Sequence, residues 1–454
     1  MKLAILGGGG FRVPLVYGAL LRETNSRRVD EVALYDTDEA RLASIAAVLT
    51  QMGQEPSASA QAGLAPPSVQ CTSDLDEAVR DADFIFSAIR VGGLRARTCD
   101  ERVALDLGLL GQETTGPGGI AYGLRTIPVV LQIASRVAAL APQAWFINFT
   151  NPAGMITQAM RSVLGSRVVG ICDSPIALGR RAAHALGVDP ERAAYDYAGL
   201  NHLGWLQGLR VDGVDRLPEL IADRDALTRI EEGRLFGADW IADIGALPNE
   251  YLYYYDFTRE ALAGIRGSAQ TRGEFLLEQQ SAFYAQVAAD PDSALSIWRR
   301  TRAERDATYM KEARAQGEER DAEDVAGGGY EAVALAIMAA ISRGEPATMI
   351  LNVANGSTLP GLPSDAVIEV ACLVDGSGVR PLTPTPLRGR MLGLVQQVKH
   401  VEECTIRAAS TRCAREAIAA FAQHPLVDSV GSARVLFEGY RNQIPELREV
   451  FGAG

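Results

Sequence analysis

A glycine run, a cysteine and a histidine are the residues whose types and surroundings could do chemistry in this chain. Gly7, Gly8, Gly9 and Gly10 follow the apolar stretch Lys2–Leu6 and precede a helical pattern from about Pro14 to Leu21. Strand, glycine turn and helix in that order let backbone N–H groups meet a pyrophosphate at the helix amino terminus. The motif is Gly7-x-Gly9, with Arg12 and Val13 where a third glycine would stand. Asp36 closes a second apolar run, Val32–Tyr35. A carboxylate there accepts hydrogen bonds from an adenosine ribose diol and repels a 2'-phosphate, which favours NAD over NADP. Gly7, Gly9, Gly10, Phe11, Arg12 and Asp36 are therefore the expected cofactor contacts.

Cys172 and Asn148 both fall at the carboxyl ends of expected parallel strands, the edge where open α/β sheets bind ligands. A thiolate at Cys172 and a neutral imidazole at His202 could hold a divalent metal while substrate oxygens complete its shell. Each also has a plain structural reading, since a lone cysteine in an apolar strand is often core. Ligand softness alone would favour zinc for such a pair.

The elements that must position these residues alternate. Val69–Thr72, Asp83–Ala88, Trp145–Phe149 and Val168–Cys172 are further apolar runs, separated by helical stretches such as Glu39–Thr50, Leu75–Arg80 and Val129–Leu140. This implies a mostly parallel sheet covered on both faces, a Rossmann-type doubly wound domain over residues 1–175. Residues 51–68, rich in Ser, Ala, Gly and Pro, read as a loop. Beyond 175 helix-like segments dominate, at Glu274–Ala288, Ala332–Ser342 and Met391–Phe421, with short strand candidates such as Thr348–Val353. Residues 176–454 thus read as an α+β catalytic and oligomerisation domain. The Met391–Phe421 pattern suits a helix against a partner subunit or a plain core helix equally.

The chain has 454 residues, 47% of them hydrophobic, and a formal charge of -12, which disfavours nucleic acid and anionic membranes as partners. Its six cysteines lack CxxC spacing, so no disulfide framework is expected and a reducing cytoplasm fits. No stretch reads as a signal peptide, and none approaches a transmembrane span.

A set of short strings gives the chain a more specific likeness. Gly111-Gln-Glu-Thr-Thr-Gly-Pro-Gly-Gly119, Asn148-Phe-Thr-Asn-Pro152, Cys172-Asp-Ser-Pro175 and Gly199-Leu-Asn-His-Leu-Gly204 stand in this order. Ile89-Arg-Val-Gly-Gly93, Asn352-x-x-Asn355-Gly-Ser and Leu362-Pro363 add to them. Together they resemble glycoside hydrolase family 4 over nearly the whole chain. That resemblance implies a fold related to the lactate and malate dehydrogenases, with NAD and manganese or another divalent metal held by Cys172 and His202. It also implies a phosphorylated disaccharide as substrate, and a homodimer or homotetramer. The implied reaction oxidises sugar carbon 3, removes the acidified proton at carbon 2 as the glycosidic oxygen leaves, adds water and reduces the ketone again.

Family likeness also assigns residues. Leu247-Pro-Asn-Glu-Tyr251 resembles the tyrosine motif whose first tyrosine is the base, with Tyr254 and Tyr255 as alternates in a segment that could equally line a core. Asp173 resembles the acid of the 6-phospho-α-glucosidase branch, whereas Phe149-Thr-Asn-Pro-Ala-Gly154 and Leu200-Asn-His-Leu203 look closer to the β branch. Arg97 and Arg272 are candidates for the sugar phosphate, and Asn148 and Asn151 for sugar hydroxyls, unless they cap the following helix. The expected activity is a 6-phospho-β-glucosidase, with the α anomer as the alternative. A 2-hydroxy acid dehydrogenase would need a histidine in a Gly-x-His-Gly-Asp-like context, and His184, His202, His400 and His424 offer none. A non-catalytic NAD sensor would not require Cys172, His202 and Tyr251 together.

Overall fold

In the computed structural model, which describes residues 1–307 and 329–452, the chain is built on one sheet of thirteen strands. The first six are β1 (Lys2–Leu6), β2 (Glu31–Tyr35), β3 (Ser68–Thr72), β4 (Phe84–Ser87), β5 (Trp145–Asn148) and β6 (Val168–Gly170). They are parallel and lie in the order β3-β2-β1-β4-β5-β6, the doubly wound arrangement expected from the alternating pattern. Leu3 and Ile5 enter one apolar core with Phe84, Phe86 and Ile147, while Ala4 and Leu6 enter a second with Ile85 and Phe146. Both faces of the inner strands are covered, which is why these read as apolar runs, whereas the edge strand β3 is largely exposed.

The sheet continues past β6. Ala347–Ala354 pairs antiparallel with it, Asn352 opposite Gly170, and Val367–Asp375, β7 (Ala194–Leu200), β8 (Leu203–Val211) and Leu247–Pro248 follow outward. One continuous sheet therefore takes strands from both sides of residue 175, itself in the Ser174–Ala185 helix, and the residues beyond it add antiparallel strands and helices, the α+β composition expected.

Several extents differ from expectation. The helix anticipated at Val129–Leu140 begins at Pro117 and runs through Pro128. Its glycine-rich start is a matter of space: a Cβ on Gly118 or Gly119 would stand 2.1 Å from the Gln112 carbonyl oxygen or 2.5 Å from that of Thr114. By length and composition this helix could cross a membrane, against the expectation that no stretch approaches a span. Within the fold, half of its most apolar window is buried, and Arg125 inside it forms a bidentate pair with buried Asp100. The Met391–Phe421 pattern is two helices, Gly389–Thr411 and Ala414–Gln423, because Arg412 takes a φ of +56° and ends the first. Gly389–Thr411 packs on Pro117–Leu140 in the same chain. Part of the 51–68 loop is helical, since the Glu39–Gln54 helix runs into it and Ala58–Gln61 adds a turn.

Candidate active site

Residues just past the carboxyl ends of β1, β4, β5 and β6 line a cleft of about 850 Å³. Gly7, Gly10, Phe11 and Arg12 face it, as do Arg97, Asn151, Cys172, Asp173, His202, Tyr251 and Arg272.

The glycine turn is built for close approach. Gly7 takes a φ of +85°, and the N–H groups of Gly7 and Gly8 both donate to the Tyr35 carbonyl, at 2.9 and 2.7 Å. Asp36 Oδ2 accepts the Gly9 N–H at 3.0 Å and Oδ1 that of Asp38 at 3.2 Å. The carboxylate thus closes the turn and keeps further lone pairs for a ribose diol. Three carbonyls of the turn receive aromatic donors from distant helices: Tyr284 Oη to Gly9 at 2.6 Å, Trp298 Nε1 to Phe11 at 2.9 Å and Tyr330 Oη to Arg12 at 3.0 Å.

Cys172 lies two residues beyond β6, and His202 occupies the tight turn between β7 and β8 with a φ of +62°. A left-handed backbone costs a side-chain-bearing residue about 1–2 kcal/mol, so something must hold it there. Cys172 Sγ and His202 Nε2 are 3.5 Å apart, and His202 Nδ1 is 3.1 Å from Thr114 Oγ1. With its proton on Nδ1 and donated to Thr114, the imidazole turns the Nε2 lone pair toward the thiol. Burial pushes the His202 pKa down to about 4, keeping the ring neutral as a metal ligand must be. Burial, then the charges of Glu369 and Asp173, holds the Cys172 thiol well above its ordinary pKa, an environment a cation would relieve. Among the described residues no third His, Cys, Asp or Glu completes a metal cluster. A soft sulfur, a neutral nitrogen and negative surroundings fit a divalent cation that takes its remaining ligands from substrate or water.

Tyr251 stacks on His202 with ring centroids 3.7 Å apart and planes at 6°. Its position follows from a short 3-10 turn, Glu250–Leu252, in which Asn249 Oδ1 accepts the Tyr251 N–H at 3.1 Å. Of the alternates, Tyr254 also lines the cleft, whereas Tyr255 is half-buried and lies toward His424 and Glu402. Asp173 stands at the N-cap of the Ser174–Ala185 helix without capping it, Oδ1 3.9 Å from Cys172 Sγ. Next to Tyr251, Glu250 accepts from Ser174 Oγ at 3.1 Å, and burial with the charge of Glu231 pushes its pKa up to about 8.

Arg97 is buried on the Gly93–Asp106 helix, with Nε 3.0 Å from Glu101 and Nη1 2.8 Å from Glu113. Glu113 also receives Arg90 at 2.6 Å; burial acts upward on its carboxyl, but the two guanidiniums bring the pKa down to about 2. Arg272 begins the Arg272–Ala289 helix, whose start is fixed by a capping box between Thr271 and Glu274. Burial, together with the nearby charges of Arg12, Arg272, Arg97 and Arg90, lowers the pKa of Arg305, which marks this end of the cleft as strongly cationic.

Asn148 is a correction. It is fully buried, its Nδ2 lies within 3.1–3.2 Å of the Thr150 and Ala153 carbonyls and Thr157 Oγ1, and its Oδ1 accepts the Thr150 N–H, so its amide shapes the loop instead of meeting a sugar. Asn151 does line the cleft, though its Oδ1 also accepts the Ala153 N–H at 3.2 Å. Glu113 and Thr114 went unassigned although both lie in the Gly111–Gly119 string. Tyr284, Trp298 and Tyr330 carry no local signal, because each acts on partners far away in sequence, as Glu369 does on Asn201 and Tyr197.

Residues 2–188 match the model of family 4 glycosyl hydrolases, and residues 197–427 match that of the family 4 glycosyl hydrolase C-terminal domain. A Bacillus subtilis (strain 168) protein named "Probable 6-phospho-beta-glucosidase" is 31% identical over 98% of both chains. The 6-phospho-beta glucosidase from Thermotoga maritima, solved with manganese, NAD+ and glucose-6-phosphate, superposes with a TM-score of 0.80 at 26% identity, covering 98% of this chain and 99% of that one. A 6-phospho-alpha-glucosidase from gut microorganisms, solved with NAD and glucose-6-phosphate, has a TM-score of 0.80 at 25% identity, covering 100% and 99%. With both family models matched and a relative alike from end to end, the chain belongs to glycoside hydrolase family 4.

Proposed function

We propose that the protein is an NAD- and divalent-metal-dependent 6-phospho-β-glucosidase that cleaves phosphorylated disaccharides to release glucose 6-phosphate. What carries this reading is one arrangement: Tyr251 stacked at 3.7 Å on His202, itself 3.5 Å from Cys172, in the cleft that the glycine turn and Arg272 also line. When bound, NAD would withdraw and return a hydride at sugar carbon 3, and the cation would stabilise the enediolate that follows. The glycine turn and Asp36 would hold the dinucleotide, as Cys172 and His202 would hold the metal. Arg97 and Arg272 bind the 6-phosphate, and Asn151 meets a sugar hydroxyl. Tyr251 removes the carbon-2 proton while Asp173 protonates the departing glycosidic oxygen. A thiol that must stay reduced suits a cytoplasmic enzyme.

The β anomer rests on the likeness to the Bacillus subtilis relative. Asp173 lining the cleft beside Cys172 favours a second reading, the α anomer. Chromogenic α- and β-glucoside 6-phosphates, assayed with and without NAD, manganese and reductant, separate the two. Hydrolysis in heavy water is expected to leave deuterium at carbon 2 of the product, which direct displacement at carbon 1 cannot do. Tyr251→Phe is expected to lose on the order of 100-fold in kcat. Product without deuterium rejects the elimination route; deuterated product from a fully active Phe variant rejects only the residue and points to Tyr254.

A further inference from the structure

Beneath the cleft, and not among the residues that line it, a buried carboxylate ties the turns of the site together. Glu369 lies on Val367–Asp375, opposite Asn352 on one neighbouring strand and Gly199 of β7 on the other, and is 1% exposed. Its Oε1 accepts from Asn352 Nδ2 at 2.8 Å and from Asn201 Nδ2 at 3.2 Å, and its Oε2 accepts from Tyr197 Oη at 3.3 Å.

Each branch leads to the site. Asn201 directly precedes His202 in its left-handed turn, and its own Oδ1 accepts the Ala153 N–H at 3.2 Å, reaching the loop that carries Asn151. Tyr197 Oη accepts from Asn249 Nδ2 at 3.4 Å, and Asn249 Oδ1 receives the Tyr251 N–H. Asn352 faces Gly170, two residues before Cys172. One carboxylate is thus linked through at most two side chains to the segments bearing the metal ligands, the base and Asn151.

The cost of this arrangement argues for a purpose. A buried carboxylate carries a desolvation penalty that an apolar side chain of similar size would avoid. Asn352, with its Nδ2 turned to Glu369, leaves its buried Oδ1 without a partner. The fold tolerates both, and what it gains is a fixed acceptor where Asn201, Asn352 and Tyr197 converge.

We infer that Glu369 is a positioning residue that, through Asn201 and Tyr197–Asn249, fixes the His202 turn and the Tyr251 turn in the geometry that metal binding and proton abstraction require. The inference rests on the metal site proposed above. What matters is the acceptor geometry at the asparagines: a glutamine can keep its carbonyl oxygen on the two asparagine amides and so hold the His202 branch, although its NH2 cannot accept the Tyr197 hydroxyl proton, whereas alanine leaves all three donors unanswered.

The test uses full-length protein, stripped of metal, with manganese uptake followed by the electron paramagnetic resonance of the free ion. NAD affinity and melting temperature are measured alongside. Glu369→Ala is expected to weaken manganese binding by roughly 10- to 100-fold, the usual effect of losing a partner that orients a metal ligand, while NAD affinity stays within about 2-fold. Glu369→Gln is expected to stay within about 3-fold of wild type in manganese affinity. Asn201→Ala severs the His202 branch while leaving the carboxylate, and should weaken manganese by about 10-fold, so the test stands even where Glu369→Ala does not fold. An alanine variant that melts earlier yet binds manganese like wild type overturns the inference, as does a glutamine variant as poor as alanine, which would make charge the operative property. Wild-type protein that takes up no manganese instead removes the metal site itself, and the inference with it.

Discussion

His202 and His424 are two buried imidazoles kept neutral to different ends. At His202 neutrality leaves an Nε2 lone pair 3.5 Å from the Cys172 thiol; at His424 it serves the fold, because Nδ1 accepts the Leu426 N–H at 3.1 Å and burial pushes the pKa down to about 3. A histidine whose folded pKa lies below its unfolded value of about 6.5 gives stability that is present above pH 6.5 and lost as pH falls toward about 3, because the unfolded chain takes up the proton first. The slope cannot exceed about 1.4 kcal/mol per pH unit for each such group. Thermal melts from pH 7 to pH 5 are expected to show a shallower loss for His424→Gln than for wild type, and parallel curves would mean that the folded protein protonates His424 freely. Cys172, His202 and Tyr251 each sit inside a short contiguous string of the sequence, and the fold brings the three together in one cleft. The place of Asn148 was not legible in the sequence, since an amide at a strand end suits a sugar hydroxyl and a loop carbonyl alike, and only the fold decides which it meets. Glu369 left no trace either: its partners Asn201 and Tyr197 lie 168 and 172 residues away.

Among the elements, the Arg272–Ala289 helix joins the two ends of the cleft. Its capping box places Arg272 in the first turn, and three turns further on Tyr284 reaches the Gly9 carbonyl and receives Arg41 Nη2 at 3.1 Å. Tyr284→Phe keeps the ring, which packs edge-on to Phe283, but leaves that carbonyl without its donor. One lost hydrogen bond of about 1 kcal/mol should weaken NAD about 5-fold, measured by titration, with little change in KM for the sugar phosphate. A larger effect on KM than on NAD would place the tyrosine in the wrong half of the cleft. Sequence patterning found this helix almost to its ends, Glu274–Ala288 against Arg272–Ala289. It failed at Pro117–Leu140, where Pro128 reads as a break but sits inside the helix, and at Arg412, where the chain turns left-handed with neither glycine nor proline to signal it.

At the scale of the whole molecule, the doubly wound order was legible because six strands, all but the edge strand β3 largely buried, alternate with helices. The antiparallel extension was not, since its hairpins join β6 and one another only through distant pairs, Asn352 with Gly170 and Glu369 with Gly199. Strand Ala347–Ala354 covers β6, and Gly389–Thr411 covers Pro117–Leu140, so the family's two matched segments share one sheet and one core. A fragment of residues 1–188 is therefore expected to aggregate and to bind no NAD, as checked by sedimentation and by titration. A monomeric, NAD-binding fragment would show that the amino-terminal half stands alone.

That shared sheet also sets a timetable for the nascent chain. β6 is made by residue 170, but the strand that seals its open side begins at residue 347. At about 5–20 residues per second the ribosome needs roughly 10 to 35 seconds to reach it. Through that interval a buried strand presents bare N–H and C=O groups to its surroundings, an invitation to pair with another unfinished copy. Crowded polysomes and fast overexpression are where this enzyme should be lost, and slower translation or a holdase acting before residue 347 should recover it.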